Sequence, residues 1–280
     1  MSKVSLQRPV MMFLIFAMMA WFSVIIQWEA GLAADALTAV TIVLYVVIFA
    51  ALLVFIRQDG EGVGSIGFGV AGLGKVLVLS AFLGIFFQII WMVIISAATG
   101  AAFDLGATPA GTFLASVLVN AAFVAFVEEC AFRGYMQRKF SSVYGPIPAI
   151  IATAILFMIP HIQAYTYFKL TDPAIQLAQS ITAAQAAEAI LIQAGQTIVI
   201  ITGLGIFTGY MYNKSGQSIF PPVLLHMTFN IGGLFVLSYS NIPAASLALG
   251  AGGLLLLMIV WVMIDVALLW AASKIMFSKG

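Results

Sequence analysis

Long apolar runs occupy most of the chain, and short polar or glycine-rich segments separate them. A helix needs about 20 apolar residues to cross ~30 Å of hydrocarbon. Runs that reach or approach this length lie at residues 10–28, 36–56, 72–97, 111–136, 146–162, 189–212, 219–239 and 246–272. The pattern therefore predicts an all-α, polytopic membrane protein with about eight transmembrane helices, in which residues 1–280 form a single integral membrane domain.

The basic residues of the connecting segments predict the orientation. Cytoplasmic loops carry an excess of Lys and Arg. If the N-terminus is cytoplasmic, the outer segments hold only Lys169. The inner segments then hold Lys3, Arg8, Arg57, Lys75, Arg138, Lys139, Lys214, Lys274 and Lys279. This bias predicts a multi-pass protein of the cell membrane with both termini in the cytoplasm.

Composition agrees with lipid as the main solvent. Hydrophobic residues make up 63% of the chain and charged residues 8%, whereas soluble domains have about 45–50% and about 25%. A net charge of +1 offers no basic surface for nucleic acid, and one cysteine excludes an internal disulfide framework.

Two of the connecting segments carry further signals. Residues 57–69 hold five glycines, typical of a flexible linker. A short surface helix is predicted after Pro173 within 163–188.

Charged residues inside the fourth run are the main anomaly. Glu128, Glu129 and Arg133 lie within six residues, and each charge at a helix centre costs about 2.5–3.5 kcal/mol on the insertion scale. Glu129 and Arg133 are four residues apart, so they share a helix face and are predicted to pair. Glu128 points elsewhere and is available for acid–base chemistry. In the structural alternative, these residues mark the inner helix end and Arg133 snorkels to the interface.

Both histidines of the chain also lie in apolar runs. His226 and Asn230 are one helical turn apart and project to the same side, so an imidazole and a carboxamide at this spacing can hold one oxyanion. His161 ends the fifth run directly after Pro160, which is expected to break that helix and keep its end deep in the membrane. The structural alternative for each histidine is a hydrogen bond that packs two helices together.

Three short motifs occur in order on three separate runs. They are Glu-Glu-x-x-x-Arg at 128–133, Phe-x-x-x-His at 157–161 and His-x-x-x-Asn at 226–230. This set resembles the CAAX protease and bacteriocin-processing family, also called the Abi family, which includes the type II CAAX prenyl endopeptidases of the Ras-converting enzyme type. The protease-like core covers about residues 110–240.

The resemblance implies an eight-helix intramembrane endopeptidase with a cavity open toward the cytoplasmic leaflet. It implies that Glu128 activates water with the help of His161, and that His226 and Asn230 stabilise the oxyanion. The supporting residues would be Glu129, Arg133 and Phe157. The expected partners are the lipid bilayer and a membrane-associated peptide or protein, prenylated or leader-bearing, and no cofactor or metal is expected.

Other interpretations stay open at this point. Cys130 adjoins the two glutamates, but a buried bystander is favoured over a nucleophile. A zinc protease is an option because Glu and His are zinc ligands, although no His-Glu-x-x-His sequence is present. A transporter or proton relay also places acids and histidines inside the membrane. A non-catalytic immunity or scaffold protein could share the same fold.

Overall fold

The computed structural model describes residues 6–30, 34–99, 114, 117–162, 171–178, 182–234, 253, 256, 259–264, 266–268, 270–271 and 274–275. All regular elements within these residues are helical, as the apolar pattern predicts. The longer helices are α1 (Gln7–Glu29), α2 (Ala34–Gln58), α3 (Gly74–Thr99), α4 (residues 117–144), α5 (Pro146–His161), α7 (Ala183–Lys214) and α8 (Phe220–Leu234). A short helix, α6 (Pro173–Ala178), precedes α7.

Two of these helices are long and apolar enough to cross a membrane, at Gln7–Ile26 and Ala36–Gln58. Shorter apolar helices lie at Gly74–Ile90 and Pro146–His161. The eighth predicted run, 246–272, falls largely outside the described residues, although 259–264 and 266–268 are helical. The eight-span topology therefore stays a prediction.

Helix α4 is longer than the apolar pattern indicates. It continues past the predicted end at Met136 to Tyr144, and only Gly145, at φ 84°, separates it from α5. Arg138 and Lys139 therefore lie on a helix and not in a loop. The run contains two π segments, Val117–Phe123 and Cys130–Gln137, with the α segment Val124–Glu129 between them. Segments of this type occur frequently at functional sites.

The connection between α2 and α3 is not the flexible linker that its glycines predict. It contains a 3₁₀ turn, Val63–Ile66, and the Ile66 side chain is fully buried. The carbonyl of Gly67 accepts a hydrogen bond from the backbone N–H of Ile219 at 2.8 Å. Gly67 has φ +100°, and a Cβ there would lie 1.9 Å from the carbonyl oxygen of Gln217. Glycine is therefore required at residue 67, because the connection packs directly against the chain that enters α8.

The segment before α7 also differs from the prediction. Helix α7 begins at Ala183, six residues before the predicted start, and Thr182 and Gln185 form a capping box at its N-terminus. The expected surface helix after Pro173 is present but short. The expected break at Pro160 is absent, since α5 continues through Pro160 and ends at His161.

Aromatic side chains link the helices that surround α4. Phe132 of α4 packs edge-to-face against Phe16 of α1 at 4.9 Å and against Phe157 of α5 at 5.0 Å. The outward faces of the first three helices are apolar, since Leu14, Val43 and Phe82 are 51%, 61% and 66% exposed. Exposed apolar faces of this kind suit contact with lipid.

Candidate active site

The two adjacent glutamates of α4 lie in the protein interior. Glu128 is 2% exposed, and Glu129 and Arg133 are fully buried. Arg133 therefore does not snorkel to an interface, and the structural alternative of a helix end fails for this residue. Buried charges require partners, and the contacts of each side chain define the site.

Arg133 pairs with Glu129, as the four-residue spacing predicts. Its Nε lies 3.2 Å from Glu129 Oε2, in an ion pair without the alignment of a hydrogen bond. The guanidinium also donates to the hydroxyl of Thr208 and, at 3.1 Å, to the carbonyl of Gly205. The guanidinium carbon, Cζ, lies 4.5 Å from the centre of the Phe157 ring, which is a cation–π distance. The cation is thus held by α4, α5 and α7 together.

His226 of α8 lies between the two glutamates. Its Nδ1 is 2.9 Å from Glu129 Oε1, and its Nε2 is 3.6 Å from Glu128 Oε2. A carboxylate can only accept, so Nδ1–H donates to Glu129. Glu129 therefore has two partners, Arg133 through one oxygen and His226 through the other.

Glu128 has a partner that the sequence analysis missed. The hydroxyl of Tyr45, on α2, lies 2.5 Å from Glu128 Oε1 and donates to it. The available signal is a tyrosine near the centre of the apolar run 36–56, because tyrosines of membrane helices usually lie at the interfaces. That signal does not reveal which residue the hydroxyl contacts.

His161 closes the cluster from the end of α5. Its Nδ1 lies 2.7 Å from the carbonyl oxygen of Phe157, and a carbonyl only accepts, so Nδ1 carries a proton and Nε2 has a lone pair when the ring is neutral. The Phe157 ring lies 4.7 Å from the His161 ring and 5.6 Å from the His226 ring. Phe157 therefore contacts both histidines, although His161 ends its helix and His226 lies near the start of its own.

Asn230 and Cys130, which the sequence analysis also considered, are close in sequence to residues of this cluster. Asn230 lies one turn after His226 on α8 and is half-buried. Cys130 is fully buried directly after the glutamates. Across the described residues, no three His, Cys, Asp or Glu side chains are arranged to hold a metal ion.

The region that contains these residues matches a known protein family. Residues 109–232 match the family model described as type II CAAX prenyl endopeptidase Rce1-like. Over these residues the chain is similar to Rce1-like proteins. The Rce1-like family is a membrane-embedded protease family. Searches of curated proteins and of solved structures gave no match.

The matched region contains all seven residues that the sequence motifs single out, from Glu128 to Asn230. It begins after α3 and ends within α8. Tyr45 lies outside the matched residues, on α2, yet its hydroxyl contacts Glu128. The cluster therefore combines the matched region with a helix that the family match does not cover.

Proposed function

We propose that this protein is a glutamate-dependent intramembrane endopeptidase. The observation that carries the proposal is the buried cluster in which His226 lies 2.9 Å from Glu129 and 3.6 Å from Glu128. Two carboxylates and an imidazole in the interior provide a base, a hydrogen-bond donor and a group that orients the donor. The protease family of the surrounding domain supports the same conclusion.

Glu128 and His161 activate the attacking water in this mechanism. Glu128 Oε2 faces the site, because Tyr45 holds the other oxygen. His161 adds an acceptor, since its neutral ring carries a lone pair at Nε2. A water held by Glu128 and His161 transfers one proton to Glu128, and the resulting hydroxide attacks the peptide carbonyl. Glu128 then delivers that proton to the leaving amine.

His226 and Asn230 form the oxyanion site. His226 donates through Nδ1 to Glu129, and when Nε2 is also protonated the ring presents a second N–H toward the reacting carbonyl. Asn230 lies on the same side of α8 and contributes its amide N–H. Glu129 compensates the charge of the protonated ring, and Arg133 and Phe157 hold Glu129 in place.

The substrate is a membrane-associated peptide or protein. A prenylated C-terminal peptide is the class named in the family description, and a leader-bearing peptide is the other class that a membrane-embedded site suits. The protein is proposed to lie in the cell membrane as a multi-pass chain. The site is proposed to receive the substrate from the cytoplasmic side.

The test is cleavage of a fluorogenic peptide with a farnesylated CAAX terminus by the full chain in liposomes. Glu128→Gln keeps the shape of the side chain but removes the base, so kcat should fall by about 10²–10⁴-fold. Glu29→Gln is the matched control, because Glu29 is exposed at the far end of α1. Full activity in Glu128→Gln would overturn the assignment of the base.

A second arm addresses the alternatives. Activity unchanged by a strong chelator supports water activation by Glu128 and His161, whereas loss with chelator and recovery with zinc would move the chemistry to a metal. Leader-bearing peptides offered to the same liposomes separate the two substrate classes. If neither substrate is cleaved but Glu128-dependent proton flux is measured, the protein is a transporter. If neither cleavage nor proton flux is measured, the protein is a non-catalytic immunity or scaffold protein and not a protease.

A further inference from the structure

Tyr45 belongs to a part of the chain that the Rce1-like match does not include. It lies on α2, and its hydroxyl is 2.5 Å from Glu128 Oε1. Its ring packs edge-to-face against Phe16 of α1 at 6.1 Å, and Phe16 in turn packs against Phe132 of α4 at 4.9 Å. The phenol is thus fixed relative to the helix that carries Glu128.

The two oxygens of Glu128 face different partners. Tyr45 donates to Oε1, and Oε2 lies 3.6 Å from His226 Nε2. An ionised carboxylate only accepts, and a hydrogen bond to it is stronger and more directional than one between neutral groups. One such bond fixes the rotation of the carboxylate plane and therefore determines which oxygen points at His226.

We propose that Tyr45 is a positioning residue that holds Glu128 by one oxygen and presents the other to the reacting water. This inference rests on the proposed role of Glu128 as the base. The Rce1-like site would then depend on a side chain supplied by α2, outside the matched domain. Tyr45 would also stabilise the ionised carboxylate in a site where the Arg133 guanidinium is held by Glu129, Thr208 and Gly205.

The charged and titratable groups around Glu128 come from four helices, so a change at Tyr45 has to be separated from theirs. They are Tyr45 of α2, Glu129 and Arg133 of α4, His161 of α5 and His226 of α8. Tyr45→Phe removes only the hydroxyl and leaves the other groups unchanged. The matched control is Tyr212→Phe, because Tyr212 is buried and its hydroxyl has no hydrogen-bond partner among the described residues.

The first readout does not require a substrate. Dicyclohexylcarbodiimide reacts with protonated carboxyl groups in apolar surroundings, and peptide mass spectrometry locates the modified glutamate. Without the Tyr45 donor, Glu128 should hold its proton to higher pH. The midpoint of its labelling should therefore move upward by about one pH unit in Tyr45→Phe. It should stay at the wild-type value in Tyr212→Phe.

The second readout is the pH profile of cleavage of the farnesylated peptide. In Tyr45→Phe, the acidic side of this pH profile should move to higher pH. The value of kcat should fall roughly 10- to 100-fold, with KM within about twofold of wild type. Unchanged labelling with unchanged kcat would overturn the inference and leave the protease proposal intact. If wild type cleaves no peptide, the protease proposal falls, while the labelling midpoint still decides whether Tyr45 holds Glu128.

Discussion

At the residue scale, Glu129 contacts both Arg133 and His226, and so connects the buried cation to the candidate site. Glu129 balances the charge of Arg133 and orients His226. Arg133 in turn contacts Thr208, Gly205 and the Phe157 ring. A mutation of Glu129 therefore affects both the stability of the helix packing and the geometry of the site, whereas a mutation of Glu128 affects mainly the chemistry.

Glu129→Gln should lower both stability and activity. Glutamine can still accept a hydrogen bond from His226, but it leaves the buried guanidinium without its paired carboxylate, a change that costs about 3–5 kcal/mol. Thermal unfolding in detergent and peptide cleavage measure the two effects. Glu128→Gln in the same assays should unfold close to the wild-type temperature.

The double variant Glu129→Gln, Arg133→Gln separates the two roles of Glu129. Removing both charges should restore much of the stability, because no unpaired ion remains. Cleavage should stay low, since His226 still lacks its carboxylate. A Glu129→Gln variant that folds normally but is inactive, together with a fully active Glu128→Gln, would reverse the assignment of the two glutamates.

The sequence predicts some of these contacts and not others. The Glu129–Arg133 pair follows from helical periodicity, which is local and independent of tertiary structure. Thr208 and Tyr45 contribute from other helices, and the rotation of those helices is set by packing. The motif resemblance predicts that His226 and Glu128 converge in one site, but periodicity places His226 only relative to Asn230 and does not predict its contact with both glutamates.

At the element scale, an ionic cluster connects α1, the α2–α3 connection and α4. Lys139 Nζ lies 2.7 Å from both Asp59 Oδ2 and Glu61 Oε1. Arg8 pairs with Asp59, and Arg138 pairs with Glu61. These residues lie in segments that the charge pattern assigns to loops. The cluster makes the glycine-rich connection a structural element, and neither periodicity nor glycine content indicates such nonlocal pairing.

The cluster gives the fold a predicted dependence on acid. Burial raises the pKa of Glu61, but hydrogen bonds from Arg138 and Lys139 outweigh burial and lower the pKa to about 2. Burial likewise raises the pKa of Asp59, and hydrogen bonds from Lys139 and Arg8 bring it below its ordinary value. A group with a lowered pKa stabilises the fold above its unfolded pKa, about 4.3 for Glu, and this contribution is lost as the pH falls through the folded pKa.

Glu61→Gln should therefore lose less stability than wild type on acidification. The wild-type unfolding temperature should fall between about pH 5 and pH 2, and the variant should fall less over that interval. At pH 7 the variant should be less stable by about 1 kcal/mol, because the cluster is partly exposed and screened by solvent. The Glu29→Gln control should follow wild type, and identical acid profiles for wild type and Glu61→Gln would contradict the assignment.

At the scale of the whole molecule, several predicted inner segments meet at one end of the helices. Arg8 contacts the α2–α3 connection, and that connection contacts both the Arg138–Lys139 region and the start of α8 near Ile219. The positive-inside rule places all of these segments in the cytoplasm. Their contact with one another supports that common side, because loops on opposite sides of ~30 Å of hydrocarbon could not touch.

The orientation and the number of spans can be tested by cysteine accessibility. The chain has a single cysteine, Cys130, and it is buried, so Cys130→Ala provides a background for introduced cysteines. Suitable positions are Ser2, Gly64, Thr171 and Ser278, of which Gly64 and Thr171 are exposed in the structure. A membrane-impermeant maleimide, applied to intact and permeabilised cells, reports the side of each one.

Thr171→Cys should react in intact cells, whereas Ser2→Cys, Gly64→Cys and Ser278→Cys should react only after permeabilisation. Gly64 serves as an internal reference, since a side chain there meets nothing within 4 Å and would not disturb the ionic cluster. With an even number of spans the two termini share one side, and with an odd number they do not. Reaction of Ser2→Cys and Ser278→Cys from opposite sides would exclude eight spans, because no rearrangement of the loops alone can separate the two ends of an even-span chain.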